Sequence, residues 1–320
     1  MKSIAMANKN SRTGIGWRRW MPNPVMLRQQ KYLFLLLVPG MLYFFIFKYG
    51  PMYGVILAFK EFNPAEGILG SPWAGFKYFR RFLEMPSVWQ VVYNTLRISV
   101  LKIVIGFPAP IIFALLLNEI RHTRYKRFVQ TVSYLPHFLS WVVIAGLIFQ
   151  LLSASYGLYG YLCNIFNWEP QVLLSDPNSF LVTVVAANVW KEMGYGSVIY
   201  IATIAGIAPD LYEAAVMDGA GRLKQVLYIT LPSILPTVSI MFILRLGGIL
   251  DAGFDEIFNL YNPMVYGVAD IIDTYVYRIG LADFQYSFAT AVGVSKSLVA
   301  FVLVVGANWI VGKFSDRSIW

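Results

Sequence analysis

The chain has 320 residues, of which 58% are hydrophobic and 13% charged, with a formal net charge of +9 and a mean hydropathy of +0.59. Soluble domains average about 45–50% apolar and about 25% charged residues, so the composition excludes an ordinary soluble protein and indicates a polytopic membrane protein. A single cysteine, Cys163, excludes an internal disulfide and a Cys-based metal cage, and two histidines, His122 and His137, without an HExxH pattern leave no metal site; each histidine reads as polar decoration.

Residues 1–31 carry Lys2, Lys9, Arg12, Arg18, Arg19, Arg28 and Lys31 and no acid. The stretch is too long, and the apolar run after it too extended, for a cleaved secretory signal. It reads as a retained basic tail that sets topology, with attraction to anionic headgroups as a second use.

A spanning helix needs about 20 mostly apolar residues, and six windows meet that need. Tyr32–Phe59 is interrupted only by Lys48, and Ile98–Leu117 holds Lys102, Pro108 and Pro110. Phe138–Leu152 is shorter, inside an uncharged region from Phe128 to Trp168. Phe180–Ala208 contains Lys191 and Glu192, Ile229–Leu250 contains Arg245, and Tyr286–Val311 contains Lys296.

Basic residues concentrate in the tail, around Arg121–Arg127, at Arg222 and Lys224, and at Lys313 and Arg317. That bias places both termini in the cytoplasm. Lys60, Lys77, Arg80, Arg81 and Arg97 run against it, on the outer side between the first two windows. There, Trp73-Ala-Gly-Phe-Lys-Tyr-Phe-Arg-Arg-Phe82 suggests an interfacial amphipathic helix, either resting on headgroups or meeting an outer partner. Between the fifth and sixth windows lies an acidic outer segment with Asp251, Asp255, Glu256, Asp270, Asp273 and Asp283 against Arg278. Its length suggests a functional or irregular loop, such as part of a vestibule or a docking surface.

Residues 209–232 form a mixed-charge island between the fourth and fifth windows. Pro209 suits a first helical turn, and Asp210 and Glu213 suit the positive end of the helix dipole. Ala214 and Ala215 favour helix and allow another backbone to approach closely. Gly219 and Gly221 permit a corner. A second short helix over about Arg222–Tyr228 leads to Leu231-Pro232, giving a helix–corner–helix knob at the membrane surface.

The spacing Glu213-Ala214-Ala215, three residues, Gly219, nine residues, Ile229, one residue, Leu231-Pro232 resembles the coupling loop of permease subunits in binding-protein-dependent ABC importers. Phe47-Lys-Tyr-Gly-Pro-Met-Tyr-Gly54, Gly106-Phe-Pro-Ala-Pro110, Ala114-Leu-Leu-Leu-Asn-Glu119, Phe128-Val-Gln-Thr-Val-Ser-Tyr-Leu-Pro-His-Phe138 and Trp190-Lys-Glu-Met-Gly194 are similar to the polysaccharide branch of the carbohydrate permeases. The likeness runs from about residue 30 to the C-terminus. It implies an all-α type I importer permease with six transmembrane helices. The domains expected are a cytoplasmic tail at 1–31, a permease domain at 32–311 and a C-terminal tail at 312–320. It also implies a second homologous permease, two ATPases, an extracytoplasmic solute-binding protein and an oligosaccharide substrate. ATP and Mg are used by the ATPases, and this chain carries no cofactor, metal, catalytic residue or nucleic-acid partner. Glu213, Ala214, Ala215, Asp218, Gly219, Ala220, Leu231 and Pro232 are the positions expected to meet the ATPase.

Charges inside spans cost about 2.5–3.5 kcal/mol each on insertion scales, so they face a bundle interior or an aqueous route. Asn188, Lys191, Glu192 and Tyr195 share a helical face by their spacing. With Trp190, and with Trp141 and Asp251 as weaker candidates, they are the expected sugar contacts; pairing with the second permease is the competing use of Lys191 and Glu192. Arg245 and Lys296 are expected to pair within the bundle, or, if they line the route, to favour a uronate-containing sugar. Gly306 to Lys313 imitates a phosphate loop but places five residues before Gly312 and Phe314 after the lysine, where the motif needs four and then Ser or Thr. An ion-coupled secondary transporter of a small polar solute is the alternative, although the inverted repeats common in such folds are not evident.

Overall fold

The computed structural model describes residues 31–314, with side chains through residue 306. The basic tail and most of the C-terminal tail therefore lie outside the described residues. The described residues divide into two compact units, one ending at Val55 and the other beginning at Ile56. Helix α1, Lys31–Phe59, begins in the first unit, where large side chains such as Leu36 and Phe47 are exposed, as a lipid-facing helix requires.

In the second unit the longer helices are α2 (Lys77–Glu84), α3 (Pro86–Glu119), α4 (Thr123–Phe138) and α5 (Trp141–Leu151). They continue as α6 (Leu158–Phe166), α7 (Pro177–Ala205), α8 (Pro209–Met217) and α9 (Arg222–Gly247). The last three are α10 (Phe254–Leu260), α11 (Ile272–Tyr277) and α12 (Tyr286–Phe314). Four helices, α1, α3, α9 and α12, are long and apolar enough to cross a bilayer; two bent pairs, α4 with α5 and α7 with α8, raise the number to six. Among the described residues strand structure is limited to one bridge, Lys60 with Trp73.

The third expected span is not a straight helix. Helix α5 has 11 residues, about 16 Å at 1.5 Å per residue, against a hydrocarbon core of about 30 Å. It meets α4 at 104°. The chain breaks at Leu139, which is extended, and Ser140 caps the new helix by accepting from the Val143 N–H.

The acidic segment after α9 is not a loose outer loop. Ala252, Ile257, Leu260, Val265, Ala269 and Ile271 are fully buried against Ile98 of α3 and Phe180, Leu181 and Val184 of α7. Its second half, Ile272, Tyr275 and Ile279, packs with Val88 and Val91 of α3 and Phe288 and Val292 of α12. At the other end of the bundle, Ile111 and Ala114 of α3, Tyr200 and Ile204 of α7 and Ile234 of α9 form a third cluster.

At the surface, α2 begins only at Lys77 rather than at Trp73, whose ring instead lies under the Lys60 ammonium. Tyr78 and Phe82 of α2 pack on the core and Arg81 lies over Phe288, while Arg80 is exposed. Helix α7 opens on Asp176, whose carboxylate caps the Ser179 N–H at 2.8 Å. That bond holds the Asp176 carboxyl below its ordinary pKa.

Candidate functional site: an exposed elbow and a cavity along one helix

The elbow starts where α7 ends. Helix α8 leaves it at 71°, with Pro209 in its first turn and Asp210 near its positive end. It closes in a Schellman turn: the Gly219 N–H donates to Val216 O at 3.0 Å and the Ala220 N–H to Ala215 O at 2.8 Å. Gly219 has φ +74, a conformation that glycine adopts without strain. The return is tied by Gln225 Nε2 donating to Ala220 O at 2.8 Å and by Tyr212 with Thr230 at 2.9 Å.

The return helix is not a separate short piece, because α9 runs on from Arg222 without a break. A π-helical turn at Val226–Thr230 precedes Pro232, and such turns absorb local mismatch in helical hydrogen bonding. Glu213, Ala214, Asp218, Gly219 and Pro232 are exposed, while Ala215, Ala220 and Leu231 are half-buried. Beside them stand apolar side chains that the sequence argument passed over: Val216, Met217 and Leu223, of which Met217 is 87% exposed. An apolar patch with a carboxylate on it is the make-up of a protein-docking surface.

Higher on α7 lies a cavity of about 340 Å³ between α3, α7 and α9, within the size range of small-ligand clefts. Gly106, Phe107, Asn188, Glu192, Tyr200 and Arg245 are among its lining residues. The expected sugar-contact face of α7 is thus divided. Asn188 and Glu192 reach the cavity. Lys191 does not: it is buried, with its ammonium donating to Leu139 O at 2.6 Å, His137 O at 2.8 Å and Pro136 O at 3.3 Å, and the Trp141 ring 5.5 Å away. It supplies three donors to the carbonyls where α4 stops, of which Pro136 O also accepts from the Leu139 N–H, so Lys191 and Trp141 hold the α4–α5 break.

The same motif gains a second physical meaning at Gly194, where a Cβ would lie 1.9 Å from Ser133 O of α4. Tyr195 stacks on His137 at 4.1 Å, and His137 Nδ1 lies 3.1 Å from Glu192 Oε2. His137 is therefore part of the polar cluster rather than decoration. Trp190 faces a different groove, with Arg97 and Leu101 of α3. Asp251 is exposed and accepts from the Gly253 N–H at 3.4 Å.

One ion pair beside the cavity was not legible in the sequence. Lys102 on α3 bonds Glu256 on α10, both almost wholly buried, and Lys102 also donates to Ala252 O at 2.6 Å. Asn188 donates to the same Glu256 oxygen at 3.3 Å, which links the cavity wall to the pair. Lys102 opens a π-helical turn, Lys102–Gly106, and Gly253, at φ +93, leaves the space: a Cβ there would meet Lys102 Nζ at 2.8 Å. A signal did exist, in the mid-span lysine and the acid that follows the fifth window, but nothing in their spacing joins them. Lys296 pairs with Asp273 at 2.6 Å and Arg278 with Asp270. Arg245, expected to pair inside the bundle, is exposed at the cavity, and its side chain takes part in no hydrogen bond or ion pair among the described residues.

Residues 106–318 match the model of the family described as binding-protein-dependent transport system inner membrane component. The chain belongs to this family. The permease is 42% identical over 307 residues to protein LplB of Bacillus subtilis, covering 96% of this chain and 95% of the relative. It is 44% identical over 296 residues to the polygalacturonan/rhamnogalacturonan transport system permease protein YteP of the same organism, covering 92% of each. Among solved structures it matches a bacterial ABC transporter involved in the import of the acidic polysaccharide alginate, with a TM-score of 0.84 at 38% identity over 93% of this chain and 99% of that one. The same holds for bacterial alginate ABC transporter in complex with an alginate pentasaccharide-bound periplasmic protein, with a TM-score of 0.83 at 37% identity over 92% and 98%. The permease is an all-helical membrane protein with the fold of an ABC importer permease.

Proposed function

We propose that this permease forms half of the membrane pathway of an ABC importer for oligosaccharides. The observation that carries the reading is that one rigid helix, α7, bears both the cavity wall, at Asn188 and Glu192, and the exposed elbow at its end. Force on the elbow is thereby delivered to the cavity. The names of the relatives, which concern polygalacturonan, rhamnogalacturonan and alginate, point to the substrate class.

In this reading the elbow, residues 209–232, sits in a groove of an ATPase subunit, with Glu213 making the polar contact and Val216, Met217 and Leu223 the apolar one. Both termini and the elbow face the cytoplasm, as the basic bias implies. Residues 32–311 form the permease domain between two tails. A second permease completes the route, two ATPases supply ATP and Mg chemistry that this chain has no motif to perform, and an extracytoplasmic binding protein delivers the sugar. Closure of the ATPases on ATP drives the elbows together and turns the cavity outward; hydrolysis reopens it inward.

The test is uptake by the complete assembly in proteoliposomes. Oligosaccharide uptake requires ATP and survives collapse of ion gradients. Glu213→Ala or Met217→Asp abolishes uptake while membrane insertion remains intact. Uptake driven by an ion gradient without ATP instead identifies a secondary transporter, and unaffected uptake in both variants removes the role of the elbow.

A further inference from the structure

Membrane-embedded cations are costly unless they are paired or face water, and in this fold nearly every one near the cavity has a partner inside the chain. Lys102 has Glu256, Lys191 has three carbonyls, Lys296 has Asp273, and Arg278 has Asp270. Arg245 is the exception at the cavity wall. The other charged group there, Glu192, lies 3.1 Å from His137 Nδ1 and makes no ion pair with Arg245. Around Arg245 the wall offers an amide, Asn188, an aromatic ring, Phe107, and the phenol-bearing Tyr200. A guanidinium presents a planar fork of N–H donors that matches a carboxylate in two parallel bonds.

From this geometry we infer that Arg245 is the specificity-determining residue of the route and that it receives the carboxylate of a uronate unit as an anionic oligosaccharide passes. The inference rests on the cavity being the route proposed above. Asn188 and Glu192 then serve the hydroxyls of the same sugar, and the Phe107 ring its apolar face. Glu192 Oε2 lies against His137 and makes no ion pair with Arg245, so the guanidinium is available to the substrate.

The experiment uses the complete assembly in proteoliposomes and two probes of equal length, an oligogalacturonate and its fully methyl-esterified form, with uptake normalised to assembled complex. Charge-assisted bonds are worth enough to make the expected loss about tenfold or more in kcat/KM for the acid in Arg245→Gln, with uptake of the ester unchanged. Arg245→Lys, which keeps the charge but loses the fork, falls between wild type and Gln for the acid. Equal loss for both probes, no loss for either, or failure of Arg245→Gln to assemble with its partner permease each overturns the inference. If the wild type imports neither probe nor any other oligosaccharide, the oligosaccharide reading itself fails; import of neutral sugars alone overturns only the role given to Arg245.

Discussion

The elbow at residues 209–232 and the segment at 251–285 are both mixed-charge interruptions between long apolar helices, and they use their charges in opposite ways. At the elbow, Glu213, Asp218 and Lys224 are exposed and hold no partner among the described side-chain ion pairs, and the one pair, Arg222 with Glu119 at 3.5 Å, is itself largely exposed. Such a pair contributes little, in the range of about 0–1 kcal/mol. In 251–285, by contrast, Glu256, Asp270 and Asp273 each meet a cation, and Glu256 does so at 1% exposure. The elbow keeps its charges and apolar side chains outward, as the docking proposed above requires. The later segment turns Glu256, Asp270 and Asp273 inward, toward Lys102 of α3, its own Arg278 and Lys296 of α12, and leaves Asp251, Asp255 and Asp283 exposed.

The contrast predicts that substitutions in the buried segment act first on stability, whereas those at the elbow spare stability and act on assembly. The largest effect is expected for Lys102→Met, which leaves Glu256 uncompensated in the interior and should cost about 3–5 kcal/mol. Thermal unfolding of the purified assembly checks this, and Lys102→Met with Glu256→Leu should recover most of the loss. A single variant as stable as wild type would break the contrast. Lys191→Met comes next: the carbonyls of His137 and Leu139 lose the ammonium, and that of Pro136 keeps only the Leu139 N–H, at a cost on the order of 3 kcal/mol. Proteolysis between α4 and α5 should rise with it.

Smaller still is Gly219→Ala. With open space around it, the cost is that of a side chain at φ +74, about 1 kcal/mol, read as a small fall in melting temperature alongside a clear loss of uptake. At the bottom of the scale, Leu223→Asp should move stability by less than about 0.5 kcal/mol, as exposed substitutions do. It should nevertheless abolish co-purification of the ATPase. Retention of the ATPase by Leu223→Asp would show that the elbow's apolar patch is not a docking surface.

Much of the elbow was legible because its information is local. Proline at the first turn, alanines within the helix and glycine at the corner act over a few residues, and the Schellman bonds from Ala220 to Ala215 and Gly219 to Val216 follow directly from that order. The cavity was half legible. Periodicity put Asn188 and Glu192 on one face of α7, but it put Lys191 and Tyr195 there too. Adjacent positions on a helix diverge by about 100°, and only the packing of α4 and α5 shows that Lys191 turns toward the broken helix end.

By itself the sequence determined what depends on composition and short-range order: a helical membrane protein, an apolar surface for lipid, and the elbow with its capping chemistry. The tertiary structure alone decided which charges meet. Glu256 finds Lys102 and Asn188, the three on separate elements, Lys296 finds Asp273, and Arg245 is left facing a cavity. A buried charge costs several kcal/mol unless it is paired, so the fold must find it a partner. Distance along the chain carries no trace of which partner that is.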